Sequence, residues 1–212
     1  MRIADFVNKY QHVPILTTDL LLTGVADPAS LRVQLARWVK AGHLLSLRSG
    51  VYVLAPYFQK VVPTVYFLAQ ALKEPSYVSL EKALEFHGLI PEAVFTVTSV
   101  TTRRPGSLVT PLGRFDFQHI RAGLFWGYFA VTIGAQTGFM AYPEKALLDL
   151  FYLRAPGVTR DYLEGLRLQN MEKIDTGRLL EYAQKFGKPG MLRAAGMVAA
   201  YKKEMLAQEK SV

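Results

Sequence analysis

Residues Pro28 to Leu54, PASLRVQLARWVKAGHLLSLRSGVYVL, decide how the chain is read: a capped, cationic helix followed by a hairpin. Asp27 can cap the helix, Pro28 suits its first position and Gly42 is placed to end it. At about 100° per residue, Leu31, Leu35, Trp38 and Val39 share one side of it. Ser30, Val33, Arg37 and Lys40 share the other, with Arg32 and Gln34 on its flanks. This outer side offers cations, an amide and a hydroxyl, and no carboxylate. Such chemistry suits a DNA major groove, where Arg pairs with guanine, Gln with adenine, and Lys or Ser with phosphate. Leu44 to Leu47 and Val51 to Leu54 are strand-like runs joined by Arg48-Ser49-Gly50, a hairpin signal. Arg48 is expected at the tip, within reach of a phosphate or a minor groove.

Upstream, Ile3 to Tyr10 has helical spacing, with Ile3, Phe6, Val7 and Tyr10 on one face. Thr17 or Thr18 can cap a short helix through Leu22 that Gly24 ends, and the turn Val25-Ala26-Asp27 leads into the basic helix. Helix, polar turn, second helix, basic helix and hairpin follow in the order of a winged helix-turn-helix, whose third helix enters the groove. Thr17 and Thr18 are expected phosphate contacts, because a helix N-terminus attracts anions. The competing reading is an amphipathic helix with a solvated cationic face. The order of the elements favours DNA.

The formal charge of +8 points to an anionic partner, and its distribution sharpens the point. From Pro28 to Lys73 there is no Asp or Glu, whereas Arg32, Arg37, Lys40, Arg48, Lys60 and Lys73 all fall there. With no cysteine, a disulfide framework, a thiolate metal site and a cysteine nucleophile are excluded, and a cytoplasmic location is expected. The opening MRIADFVNKYQ carries charges where a signal peptide needs an apolar core. The longest uncharged run, Ala122 to Pro143, holds glycines and a turn-like Gly134-Ala135-Gln136-Thr137-Gly138, which argues for strands rather than a membrane span.

Two domains are expected: residues 1–56, the winged helix-turn-helix, and residues 57–212, a larger α+β domain with an antiparallel sheet and C-terminal helices. Pro56 to Pro63 is the junction, with Tyr57 and Phe58 packing at the domain interface. Ser79 is placed to cap a helix that stops at Gly88. Ala93 to Thr102 is a β-branched strand, and runs near Ser107 to Val109, Gly113 to Ile120, Gly127 to Ile133 and Phe139 to Ala141 complete the sheet. From Pro143 the pattern turns helical, with further helices over Thr159 to Leu168, Thr176 to Phe186 and Pro189 to Gln208. Arg103 and Arg104 form a basic turn with three readings: a second phosphate-binding patch, a contact for an acidic partner, or a soluble hairpin tip.

No catalytic constellation stands out. The four histidines, His12, His43, His87 and His119, lack the spacing of a metal pair, and there is no GxxxxGK or GxSxG. Glu144 and Asp149 do not share a helix face, so they read as structural rather than as an acid–base pair. No metal and no cofactor is expected.

Several segments resemble the AbiEi antitoxins, bacterial transcriptional regulators of abortive-infection toxin–antitoxin pairs. They are Arg48-Ser49-Gly50-Val51-Tyr52, Tyr77-Val78-Ser79-Leu80-Glu81, His87-Gly88-Leu89-Ile90-Pro91-Glu92, Thr98-Ser99-Val100-Thr101 and Tyr142-Pro143-Glu144-Lys145-Ala146-Leu147-Leu148-Asp149. The resemblance implies a DNA-binding autorepressor that recognises inverted repeats ahead of its own operon, and a C-terminal domain responsible for antitoxicity. By position, Arg32, Gln34, Arg37, Lys40 and Arg48 take the DNA role. The toxin it implies is a nucleotidyltransferase; members differ on whether antitoxin and toxin touch, and direct binding, with the winged helix as a protein-docking module, is the alternative. Such toxins use Gly-Ser followed by two closely spaced acids. Here Gly106-Ser107 is followed by Asp116-Phe117-Gln118, without the second acid, so the expectation is the non-enzymatic antidote.

Overall fold

The computed structural model describes residues 2–154 and 157–209. Its first elements are helix α1 (Ile3–Tyr10), strand β1 (Leu16–Thr17), helices α2 (Thr18–Leu22) and α3 (Pro28–Lys40), and strands β2 (Leu44–Arg48) and β3 (Val51–Leu54). The strands form a three-stranded antiparallel sheet in the order β1-β3-β2. Strand period sorts its side chains between two cores. Leu16, Leu44 and Leu54 join Phe6, Tyr10, Leu21, Leu35 and Trp38 under the helices. Leu47, Val51 and Val53 point the other way, into the core of the rest of the chain.

That larger part contains α4 (Val65–Leu72), β4 (Ser76–Val78), α5 (Leu80–Phe86), β5 (Thr96–Thr101), β6 (Gly106–Thr110) and β7 (Gly113–His119). It continues with β8 (Tyr128–Ile133), β9 (Gln136–Ala141), α6 (Pro143–Arg154), α7 (Arg160–Gly165), α8 (Thr176–Lys185) and α9 (Pro189–Glu209). The chain is thus a mixed α+β structure. Its main sheet has six strands in the order β6-β7-β5-β4-β9-β8.

This sheet is mixed, not antiparallel as expected: β5–β7 and β4–β9 run parallel. Burial supplies the reason. Phe115 and Phe117 of β7 are fully buried, whereas Val109 of β6 is 77% exposed. The more apolar arm of the β6–β7 hairpin therefore takes the inner place beside β5 and leaves β6 at the edge. Strand β4 spans Ser76–Val78 alone, too short to show a period, and it lies buried at the sheet's centre.

Close packing ties α4 to the sheet. A Cβ added at Gly138 of β9 would lie 2.6 Å from the Tyr66 carbonyl carbon. The buried Gln136 side chain accepts from the Thr64 N–H (2.7 Å) and donates to the Val62 carbonyl (2.9 Å), holding the segment that leads into α4. Phe58 does not pack between the two cores as expected; it lies against the N-terminal cluster. The Tyr57 hydroxyl donates to the Gly42 carbonyl (3.1 Å), closing the turn after α3. No helix among the described residues is long and apolar enough to cross a membrane.

Candidate nucleic-acid interface

Helix α3 is closed at both ends by its own sequence. Asp27 Oδ1 accepts from the Ser30 N–H (3.1 Å), and Pro28 opens the first turn. At the other end Gly42 adopts φ +74°, while the His43 N–H donates to the Trp38 carbonyl (2.9 Å) and the Gly42 N–H to that of Val39 (3.0 Å). This paired arrangement satisfies carbonyls that the helix end would leave bare. Leu35 and Trp38 are buried, and the Trp38 ring meets Phe6 at 4.6 Å between centroids. The anchored inner face fixes which side chains face out. Ser30, Arg32, Val33, Arg37 and Lys40 are exposed, and Gln34 is half-buried on the flank. Arg32, Arg37 and Lys40 make no ion pair among the described residues.

The other expected contacts lie at one end of the small sheet. The Thr17 hydroxyl accepts from the Leu20 N–H (3.2 Å), so it caps α2, and the Thr18 N–H donates to the Gly50 carbonyl (2.9 Å). Gly50 has φ +77°, a conformation that favours glycine, and a Cβ there would crowd Thr18 Oγ1 at 3.0 Å. Arg48 is not at the tip. It ends β2, and its guanidinium leans back to donate to the carbonyls of Ser49 and Ala71, each at 3.4 Å. A cleft of about 520 Å³ separates this end of the sheet from α4. Its lining mixes charges, with Arg48 opposed by Asp19 and Glu74.

Arg103 and Arg104 are both exposed in the turn before β6. Lys73 Nζ, just after α4, donates to the Arg104 carbonyl (2.9 Å). The C-terminal end of α4 thus meets both sequence-predicted basic groups, receiving Arg48 at Ala71 and reaching the Arg103–Arg104 turn through Lys73.

A different polar cluster was missed by sequence reasoning. Lys145 and Asp149, one turn apart on α6, are both fully buried and joined by a short ion pair. Asp149 Oδ2 also accepts from the Tyr77 hydroxyl (2.9 Å) and Ser79 Oγ (2.8 Å), and Lys145 Nζ donates to the Tyr77 hydroxyl (2.8 Å). Aromatic rings of Trp126 and Phe186 lie 4.9 and 5.0 Å from the ammonium. Burial pushes the Asp149 carboxyl up and the Lys145 ammonium down, each opposed by the other's charge. With no exposed surface, the cluster clamps β4 to α6. It also explains why Ser79 does not cap α5 as expected: its hydroxyl is bonded to Asp149, and Thr98 Oγ1 accepts from the Lys82 N–H in the first turn instead (3.1 Å). The signals for it were Tyr77 and Ser79 two apart, one in a strand and one just beyond its end, and a Lys–Asp pair four apart within an apolar helix.

Glu144 and Asp149 serve separate contacts. Glu144 Oε1 accepts from the Asp175 N–H (2.7 Å), and Arg178 lies 3.7 Å from its other oxygen. The histidines are likewise dispersed: His43 meets the Tyr57 hydroxyl, His87 the Ala141 carbonyl and His119 the Arg103 carbonyl.

A scan against models of protein families and a search of curated proteins find no match for this chain.

Proposed function

We propose that this protein is a cytoplasmic DNA-binding autorepressor and antitoxin of the AbiEi kind, without catalytic activity. Residues 1–56 are its winged helix-turn-helix domain and residues 57–212 its antitoxin domain. The observation that carries the reading is the outer face of α3, where Arg32, Arg37 and Lys40 stand exposed and without ion pairs on a helix anchored by Leu35 and Trp38. Unpaired cations on a rigid helix are available to DNA at little cost in lost protein contacts. The succession α1–β1–α2–α3–β2–β3 and the sheet order β1-β3-β2 support the winged-helix assignment. The AbiEi part of the reading rests on the sequence segments that resemble that family. Its DNA is a pair of inverted repeats in its own promoter, and the toxin it neutralises is a nucleotidyltransferase.

In this reading Arg37 pairs with a base edge, Arg32 and Lys40 hold phosphates, Ser30 stands on the same outer face, and Gln34 reaches from the flank. Thr17 and Thr18 approach the backbone at the start of α2. Arg48 must exchange its carbonyl partners for phosphate. Titrating the DNA upstream of the reading frame with the wild type and Arg37→Ala tests this. The variant is expected to lose about 1–3 kcal/mol and relax its base preference at one position. Equal affinity and equal preference in the two proteins would remove Arg37 from the reading residues.

A further inference from the structure

The centre of the outward face of α3 is not a cation. At about 100° per residue, Val33 marks the middle of that face. Lys40 lies about 20° from it, Arg37 and Ala29 about 40°, and Ser30 and Ala36 about 60°. Val33 is 53% exposed, and Ala29 and Ala36 beside it are exposed too. A β-branched residue is a poorer choice than alanine at an exposed helical position. The small flanking side chains let the helix approach a surface closely at that point. The cations Arg37 and Lys40 lie one or two turns further on.

We infer that Val33 is a specificity residue that reads the 5-methyl group of a thymine; this rests on the DNA-binding reading above. In the major groove thymine alone presents a methyl group, and a small apolar side chain is the matching surface. Val33 and Arg37 are separated by about 6 Å along the helix axis, roughly two base-pair steps. The thymine therefore lies within two base pairs of the guanine that Arg37 pairs with. The exposed valine gains burial only when that groove is filled.

The experiment selects binding sites from a random-sequence duplex pool with the wild type, Val33→Ala and Arg37→Ala. The best wild-type site is then remade with deoxyuridine in place of thymidine. The wild type is expected to select thymine near guanine and to bind the deoxyuridine duplex about fourfold more weakly, the worth of one buried methyl-sized group. Val33→Ala is expected to bind both duplexes equally while keeping the guanine preference that Arg37→Ala loses. Because Val33 is exposed, its replacement leaves the core intact. Equal wild-type affinity for the two duplexes overturns the inference and leaves the DNA-binding reading standing, as does a methyl preference that survives in Val33→Ala. A pool from which the wild type selects nothing overturns both.

Discussion

Replacing Asp149 with alanine removes the carboxylate bonded to Lys145, a lysine with no exposed surface. What remains around Lys145 is one hydroxyl, that of Tyr77, and the faces of Trp126 and Phe186. Breaking one partner of a buried ion pair costs about 3–5 kcal/mol, because the surviving charge is left without compensation. Against a total stability of about 5–15 kcal/mol, that is a large fraction. With a urea slope near 2 kcal/mol per molar, the unfolding midpoint should fall by about 2 M. The pH dependence identifies the cause. Without Asp149 the folded-state pKa of Lys145 drops further below its unfolded value, about 10.4. Between the two values the unfolded chain binds more protons, so the variant should regain stability as pH rises towards that value. Lys145→Met/Asp149→Leu removes both charges and should restore much of the loss, leaving the Tyr77 and Ser79 hydroxyls without their acceptor. A midpoint change in Asp149→Ala worth less than about 1 kcal/mol, with no recovery at high pH, would refute the clamp, since such a value is that of an exposed pair.

Other perturbations probe the remaining supports. Asp27→Ala should cost roughly 1 kcal/mol by uncapping α3, and a matching drop in helicity at the N-terminus of α3 would be seen by hydrogen exchange; unchanged exchange at Ser30 contradicts the cap. His87 is half-buried, and burial holds its pKa below the usual value of about 6.5, partly offset by its bond to the Ala141 carbonyl. A histidine with a depressed folded pKa favours the fold above its unfolded pKa, so stability should decline as pH falls through about 6.5. Denaturation at several pH values should show that decline reduced in His87→Gln, and an identical profile would count against the assignment. Gly138→Ala should destabilise by about 1–3 kcal/mol, because the new methyl enters the backbone of Tyr66; a neutral thermal melt would show that α4 can move away.

Local signals made the N-terminal elements legible. Asp27, Pro28 and Gly42 mark the ends of α3 in the sequence, and the helical spacing of Leu31, Leu35 and Trp38 identifies its inner side. The amphipathic helix α8 and the turn to helix at Pro143 were equally readable. What could not be read depends on contacts distant in sequence. Strand β4 spans only Ser76–Val78, and nothing within it shows that β5 and β9 will pair on either side. The parallel pairing of β5 with β7 follows from which hairpin arm is more apolar once folded, a comparison that alternating patterns do not make. Ser79 carries a cap's chemistry, but a partner some seventy positions away takes its hydroxyl. The lean of Arg48 is of the same kind, set by an α4 carbonyl that the hairpin's own sequence does not reveal.

The central claim is that α3 and its neighbouring strands hold DNA through cations that make no ion pair among the described residues of the free protein. The direct measurement is the affinity for upstream DNA as a function of salt concentration, for the wild type and for Arg32→Ala, Lys40→Ala and Arg48→Ala. Each phosphate neutralised contributes about −0.9 to the slope of log K against log salt. The wild-type slope should be about −3 or steeper, and each single variant should be shallower by about 0.9. A flat slope, or variants indistinguishable from the wild type, would contradict the account.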